Sequence, residues 1–414
     1  MTLARLTSFA LLFLLASLAS LPSSASKLGN SAATARILIA DPSPALHAYL
    51  SASGFAVEAV ERLRAFDLTL MVVVPPERVP PAAALHHVRE RFPGAIAALD
   101  DRIELAGDAK AARPTAVQPR QITNAIGWPA GGYPVASGLR IGVIDSTLDD
   151  SHPALRGAAI VQRRFTSGTD PAADTAHGTA IAAMLVGRSD DTSVSGLLRG
   201  ATLYYANIFR TGKDGSVAGS ADFLRAVDWL IESDVTVINA SITSRSENPV
   251  VKYAMSLLSH EKIILVAAAG NGGPSGPPVY PAAIPSAFAV TAVSIDGKVY
   301  DDANKGDYID IAAPGIDLPT TSRKITSGTS LAVPFVTAAV AHMIHICNVP
   351  PADAEARLEA GARDLGPNGW DPSFGWGLLQ AMPGCGNQAH GDTARPLASR
   401  ASAVVAPRDD FSER

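Results

Sequence analysis

From about Gln121 onward, apolar runs of strand length alternate with stretches whose apolar residues recur at helical spacing, and this alternation limits the fold more than any other feature. Leu139 to Ile144, Thr202 to Ile208, Val235 to Asn239 and Ile263 to Ala269 read as strands of the buried type. Between them, Phe223, Leu224, Val227, Leu230 and Ile231 repeat at helical spacing, and Val250 to His260 reads as a further helix. Apolar strands separated by amphipathic helices imply a mainly parallel sheet covered on both faces. In such a sheet the residues that do chemistry gather at the carboxyl ends of the strands.

The rest of the chain is organised around that domain. Residues 35–105 read as a small mixed α+β unit, with strand-like runs Arg36 to Ala40 and Leu68 to Val74 and helix-like runs Pro44 to Ser53 and Ala82 to Phe92. Residues 106–120, rich in Ala, Pro and small polar residues, read as a linker in which a cleavage would fall. At the start, Arg5, the apolar run Phe9 to Leu18 and the small residues Ser23, Ser24 and Ala25 have the layout of a secretory signal peptide. That run is short for a membrane span. The expected division is a signal peptide over 1–25, an amino-terminal domain with its linker over 26–113, the main domain over 114–386, and a polar disordered tail over 387–414. The net charge of −5 gives no basic surface for nucleic acid, and that class is set aside. Cys347 and Cys385, an even count in a chain that reads as exported, suggest one disulfide, with stabilisation of roughly 3–4 kcal/mol in the chain-entropy model.

Four short segments carry candidate chemistry. The strand from Ile141 ends on Asp145, where a carboxylate can orient an imidazole, although acidic residues often follow strands. His177 opens a helix of small residues beside Gly178 and Thr179; imidazole is the usual base for a hydroxyl nucleophile, and a capping or surface His is the plainer reading. The strand from Val266 runs into Gly270, Asn271, Gly272 and Gly273, where the Asn271 amide either makes a turn or donates to a developing oxyanion. Ser330 lies where the loop Thr326 to Thr329 enters an apolar helix, either as its N-cap or as a nucleophile near the positive end of the helix dipole. Pro334 withdraws one helix hydrogen bond there, the one to the Ser330 carbonyl.

Taken in this order, the four segments resemble the Asp, His, Asn and Ser segments of subtilisin-like serine peptidases, the run Gly328 to Pro334 most specifically. The resemblance covers roughly residues 118–383. It implies an α/β three-layer sandwich with a mainly parallel sheet, and a serine endopeptidase with Asp145, His177 and Ser330 as triad and Asn271 in the oxyanion hole. It further implies that Ser241, Ile242 and Thr243 pair with the substrate backbone, and that Ala268, Ala269 and Gly270 line the opposite wall of the primary pocket. Residues 27–113 resemble a family propeptide in position, size and mixed α/β pattern, which implies an intramolecular inhibitor removed by cleavage. An unrelated amino-terminal binding domain is the alternative. The expected product is a secreted or periplasmic monomer that acts on protein or peptide substrates and requires no cofactor.

The chain departs from the family pattern at several points. Thr147 stands where Gly usually follows the acid by two residues, Ala180 replaces a second His, Leu331 replaces the usual Met, and Thr243 replaces a Gly of the substrate strand. A side chain at 243 should narrow the pocket and favour small or medium apolar residues before the cut. Family members often bind calcium, but Asp149, Asp150, Asp170, Asp174, Asp190 and Asp191 are scattered and read first as a solvated face. Two rival readings stand beside this one. A catalytically weak binding or regulatory protein on the same scaffold is allowed by the lost glycines. A lipase or esterase is not, because its nucleophile would sit in Gly-x-Ser-x-Gly and precede the acid and the His.

Overall fold

The computed structural model describes residues 35–106, 117–129, 138–166, 172–188, 193–212, 215–258, 263–322 and 324–381. The expected signal peptide and tail, Cys385, linker residues 107–116, and Asp170, Asp190 and Asp191 lie outside these residues.

The amino-terminal unit runs β1 (Ile37–Ala40), α1 (Pro44–Ala52), β2 (Ala56–Leu63), β3 (Leu68–Val74), α2 (Pro81–Arg91) and β4 (Ile96–Leu99). Helix α1 starts where the sequence signals it: Pro44 fixes the first turn and the Ser43 hydroxyl accepts the Leu46 N–H at 3.2 Å. The four strands form one antiparallel sheet in the order β2-β3-β1-β4. Their period-two alternation divides the apolar residues between two cores. Ile37, Ile39, Val73 and Ala97 pack under α1 and α2 with Leu46, Leu50, Leu85 and Val88. Leu38, Ala40, Leu70, Val72 and Ala98 face the other way, into a core shared with the larger unit.

The larger unit continues with β5 (Arg102–Leu105), α3 (Pro119–Ala125), β6 (Arg140–Asp145), β7 (Ala159–Arg164), α4 (Ala176–Val186), β8 (Thr202–Asn207), β9 (Arg210–Gly212), β10 (Gly215–Gly219), α5 (Ser220–Glu232), β11 (Val237–Ala240), β12 (Ile242–Thr243), α6 (Pro249–Leu257), β13 (Ile264–Ala268), β14 (Ala287–Val293), β15 (Ile311–Pro314), α7 (Thr329–His345) and α8 (Pro351–Gly361). Seven strands form a sheet in the order β15-β14-β13-β11-β6-β8-β7, parallel at every pairing. One face is covered by α3, α4, α7 and α8 and the other by α5 and α6, so the architecture is the expected three-layer α/β sandwich.

The four strands expected from the sequence fall within two residues of their predicted ends. Strands β7, β14 and β15 were not singled out. The reason at β7 is physical: it is an edge strand whose residues, ending Gln162, Arg163 and Arg164, are largely exposed, so no apolar run marks it. Helix α7 is buried over its first fifteen residues and packs against β11, β13, β14 and β15.

The two units meet along α5. The Asp228 carboxylate accepts the Ala65 N–H at 2.8 Å, and Arg225 pairs with Glu61 at 2.7 Å. Asp100, fully buried and paired with Arg36, accepts the Ala221 N–H at 3.0 Å at the helix start. Burial, then the charge of Asp100, pushes the Asp222 carboxyl up to about 6 against Arg225, Arg36 and Arg210. Burial pushes Asp228 up to about 6 as well. A carboxyl raised in the folded chain contributes stability that is complete below about pH 4 and is lost as pH rises through about 6. The Asp222→Asn variant holds that position neutral. In the chain kept intact by Ser330→Ala, the variant is expected to be more stable than its parent at pH 7.5, by no more than about 3 kcal/mol, and level with it at about pH 3.5. Paired thermal melts across that range check this; an equal difference at both pH values contradicts it.

Candidate active site

Asp145 is the last residue of β6, and its side chain is wholly buried. His177 sits in the first turn of α4, with Nδ1 2.8 Å from Asp145 Oδ1. The same oxygen accepts the Ser146 N–H at 2.6 Å. A carboxylate on the Nδ1 side fixes the ring tautomer and leaves Nε2 for a hydroxyl. The helix start is tied to the turn after the acid, since the Gly178 N–H donates to Ser146 Oγ at 3.2 Å. Gly178 has to be glycine: a Cβ there would collide with Tyr205 Oη and lie 3.0 Å from the Thr147 carbonyl oxygen.

Ser330 is the second residue of α7 and is 2 % exposed. The carbonyl that Pro334 leaves without a helix partner is taken up by Ser241 Oγ, which donates to it at 3.0 Å. Ser241 Oγ in turn accepts from Asn239 Nδ2 at 2.9 Å, and Asn239 Oδ1 accepts from Thr337 Oγ1 at 3.2 Å. This buried chain of bonds joins the end of β11 to the start of α7.

Asn271 follows β13. Its Oδ1 accepts from both the N–H and the hydroxyl of Thr329, each at 3.0 Å, and Thr329 Oγ1 accepts the Gly270 N–H at 3.1 Å. With its oxygen held in this way, the amide presents Nδ2, which donates to the carbonyl of Ala106. A Cβ placed on Gly328 would lie 3.3 Å from Asn271 Nδ2, 3.5 Å from Ser330 Oγ and 3.6 Å from the Ala106 oxygen. A hydroxyl, an amide donor and a peptide carbonyl therefore surround one point, an arrangement suited to acyl transfer.

The peptide in this cleft belongs to the chain itself. Strand β5 lies antiparallel between β10 and β12, with Ile103 opposite Ala218, Leu105 opposite Ile242 and Glu104 opposite Thr243. The Ala106 N–H donates to the Ser241 carbonyl at 3.1 Å. Residue 106, expected to open a linker, is instead 2 % exposed and bonded on both sides. Ile103 lines a hollow with Phe223, Val251, Tyr280 and Ile284. Of the expected pocket wall, Ala268 shares the Ala106 core, whereas the Ala269 side chain belongs to the core of the opposite layer. Gly270 adopts a φ of 101°, which a side chain would strain.

The sequence reading did not anticipate Thr329, Ser146, the Asn239–Thr337 link or β5. Thr329 had a signal in its position beside Ser330. Strand β5 had none, because four residues that pair only with distant segments leave no periodicity. Among the described residues no group of three or more His, Cys, Asp or Glu is placed to hold a metal ion, and no helix is long and apolar enough to cross a membrane.

Comparison with known proteins adds relatives to this geometry. Subtilisin amylosacchariticus from Bacillus subtilis subsp. amylosacchariticus is 31% identical over 265 residues, which span 61% of this chain and 66% of that protein, just short of two thirds of its length. The minor extracellular protease Epr of Bacillus subtilis is 27% identical over 272 residues, 64% of this chain and 40% of the relative. Among solved structures, fervidolysin from Fervidobacterium pennivorans, a keratinolytic enzyme related to subtilisin, shares the fold with a TM-score of 0.67 at 21% identity, covering 84% of this chain and 60% of that one. The prenylagaramide maturation protease PagA aligns with a TM-score of 0.52 at 25% identity, covering 60% of this chain and 92% of that one. The profile of the Subtilase family matches residues 136–377, more than half of the sequence, and the chain belongs to that family.

Proposed function

We propose that the chain is the precursor of an exported serine endopeptidase, which works through an acyl-enzyme on Ser330 and first cuts its own Ala106–Gly107 bond. The observation that carries this reading is the Ala106 carbonyl, held by Asn271 Nδ2 beside Ser330 Oγ while strand pairing fixes the residues before it. Ser330 Oγ attacks that carbonyl carbon as His177 takes its proton, and Asp145 stabilises the imidazolium. The negative charge gathering on the carbonyl oxygen meets Asn271 Nδ2 and the Ser330 N–H at the start of α7. His177 then returns the proton to the Gly107 amine, which leaves, and a water activated by His177 frees the acyl group. Residues 35–106 afterwards block the cleft until they depart. Export is supported by the apolar run Phe9 to Leu18 and by the extracellular relative. It also fits a disulfide between Cys347 and Cys385.

Purified precursor is expected to yield a mature chain beginning at Gly107 and to cut casein, while Ser330→Ala does neither. If both proteins stay intact and inert by mass and casein assay, the non-catalytic binding scaffold replaces this reading. In the mature enzyme, Asn271→Ala is expected to lower kcat by about 10²–10³, the range found on removing such an amide from subtilisin; an unchanged kcat removes Asn271 from the oxyanion hole. Ala106 as occupant, and a Thr243 side chain on the strand that pairs with the residues before it, favour small apolar residues before the cut. Profiling with a peptide library checks this, and a strong preference there for large aromatic or basic residues would contradict it.

A further inference from the structure

Tyr205 stands in β8 opposite Val143 of β6, with its side chain in the core beneath α4 and no exposed surface. Packing alone would be served by Phe. The hydroxyl, however, donates to the Ser146 carbonyl at 2.8 Å and fills the space that a Cβ on Gly178 would need. Ser146 is the residue through which acid and base are joined. Its N–H holds Asp145 Oδ1, the oxygen that faces His177 Nδ1, and its Oγ accepts the N–H of Gly178, the neighbour of His177. Its carbonyl is the third polar group of the same residue, and Tyr205 holds it. Burial, with the charge of Asp145 adding, pushes the phenol well above its ordinary pKa, so it keeps its proton and remains a donor.

We propose that Tyr205 is a positioning residue for the Asp145–His177 pair, its hydroxyl fixing Ser146 so that both the acid and the helix start carrying the base keep their orientation. The proposal rests on the peptidase reading above. Loss of one neutral hydrogen bond in a preorganised site is expected to lower kcat by about five- to twentyfold in Tyr205→Phe. KM for a peptide substrate should stay within about twofold, because the pairing with β10 and β12 is untouched.

The test compares wild type and Tyr205→Phe as mature enzymes, each titrated with a serine-directed phosphonate so that kcat is counted per active site. A second readout does not need turnover. In the Ser330→Ala chain, the low-field NMR resonance of the His177 Nδ1 proton is expected to shift or broaden when Tyr205→Phe is added. A wild type without activity defeats the peptidase reading rather than this one. An active wild type whose Tyr205→Phe variant keeps its kcat and its low-field resonance, with only the melting temperature lowered, overturns the proposal and leaves Tyr205 a packing residue. Should Tyr205→Phe fail to accumulate, 3-fluorotyrosine placed at position 205 makes the phenol a stronger donor at nearly constant volume. A shifted resonance then supports the proposal, and an unchanged one overturns it.

Discussion

The bond from Ser241 Oγ to the Ser330 carbonyl holds together parts of the chain that nothing local could align. Pro334 opens that carbonyl by removing a helix donor, and a buried carbonyl without a partner would cost about 1–3 kcal/mol. The residue that answers it, Ser241, also receives the backbone N–H of Ala106 on its own carbonyl. One residue therefore sets both the start of α7, where Ser330 lies, and the edge along which a peptide pairs. Thr329 does the same for Asn271 from the other side. Helix α7 can hold this position because it is buried against four strands and has little freedom to slide.

The amino-terminal unit follows the same logic on a larger scale. Its sheet has two apolar faces, and only one is covered by its own helices. The other is completed by α5 and α6, so the unit docks by finishing a core rather than by touching a finished surface. Docking brings Asp100 to the start of α5, where helix N–H groups welcome a carboxylate, while the neighbouring Asp222 resists ionisation. The chain then leaves β4 directly into β5, which delivers Ala106 to Asn271. The short path from β4 to Ala106 means that the position of the docked sheet determines which peptide bond reaches the cleft.

The layers and the candidate residues were legible in the sequence for a definite reason. Parallel strands buried on both faces must be nearly pure apolar runs, so Leu139 to Ile144 and Ile263 to Ala269 announce themselves, and the polar residue that ends such a run stands out. Asp145 and Asn271 were found in this way, and His177 and Ser330 by the small residues and the Gly-containing loop around them. Elements outside that rule left little trace. Edge strand β7 carries mostly exposed side chains, and β5 is short and pairs only across sequence separations of more than a hundred residues.

By itself the sequence determined the sandwich and the chemical types placed at its strand ends, because periodicity and local turn signals are properties of neighbouring residues. Only the tertiary structure decided that Asp145 faces His177 at 2.8 Å, that the Tyr205 hydroxyl reaches the Ser146 carbonyl, and that Ala106 is the residue whose carbonyl meets Asn271. Each of these contacts joins residues dozens to well over a hundred positions apart. Whether they form depends on how whole layers pack, and no local pattern in the chain records that.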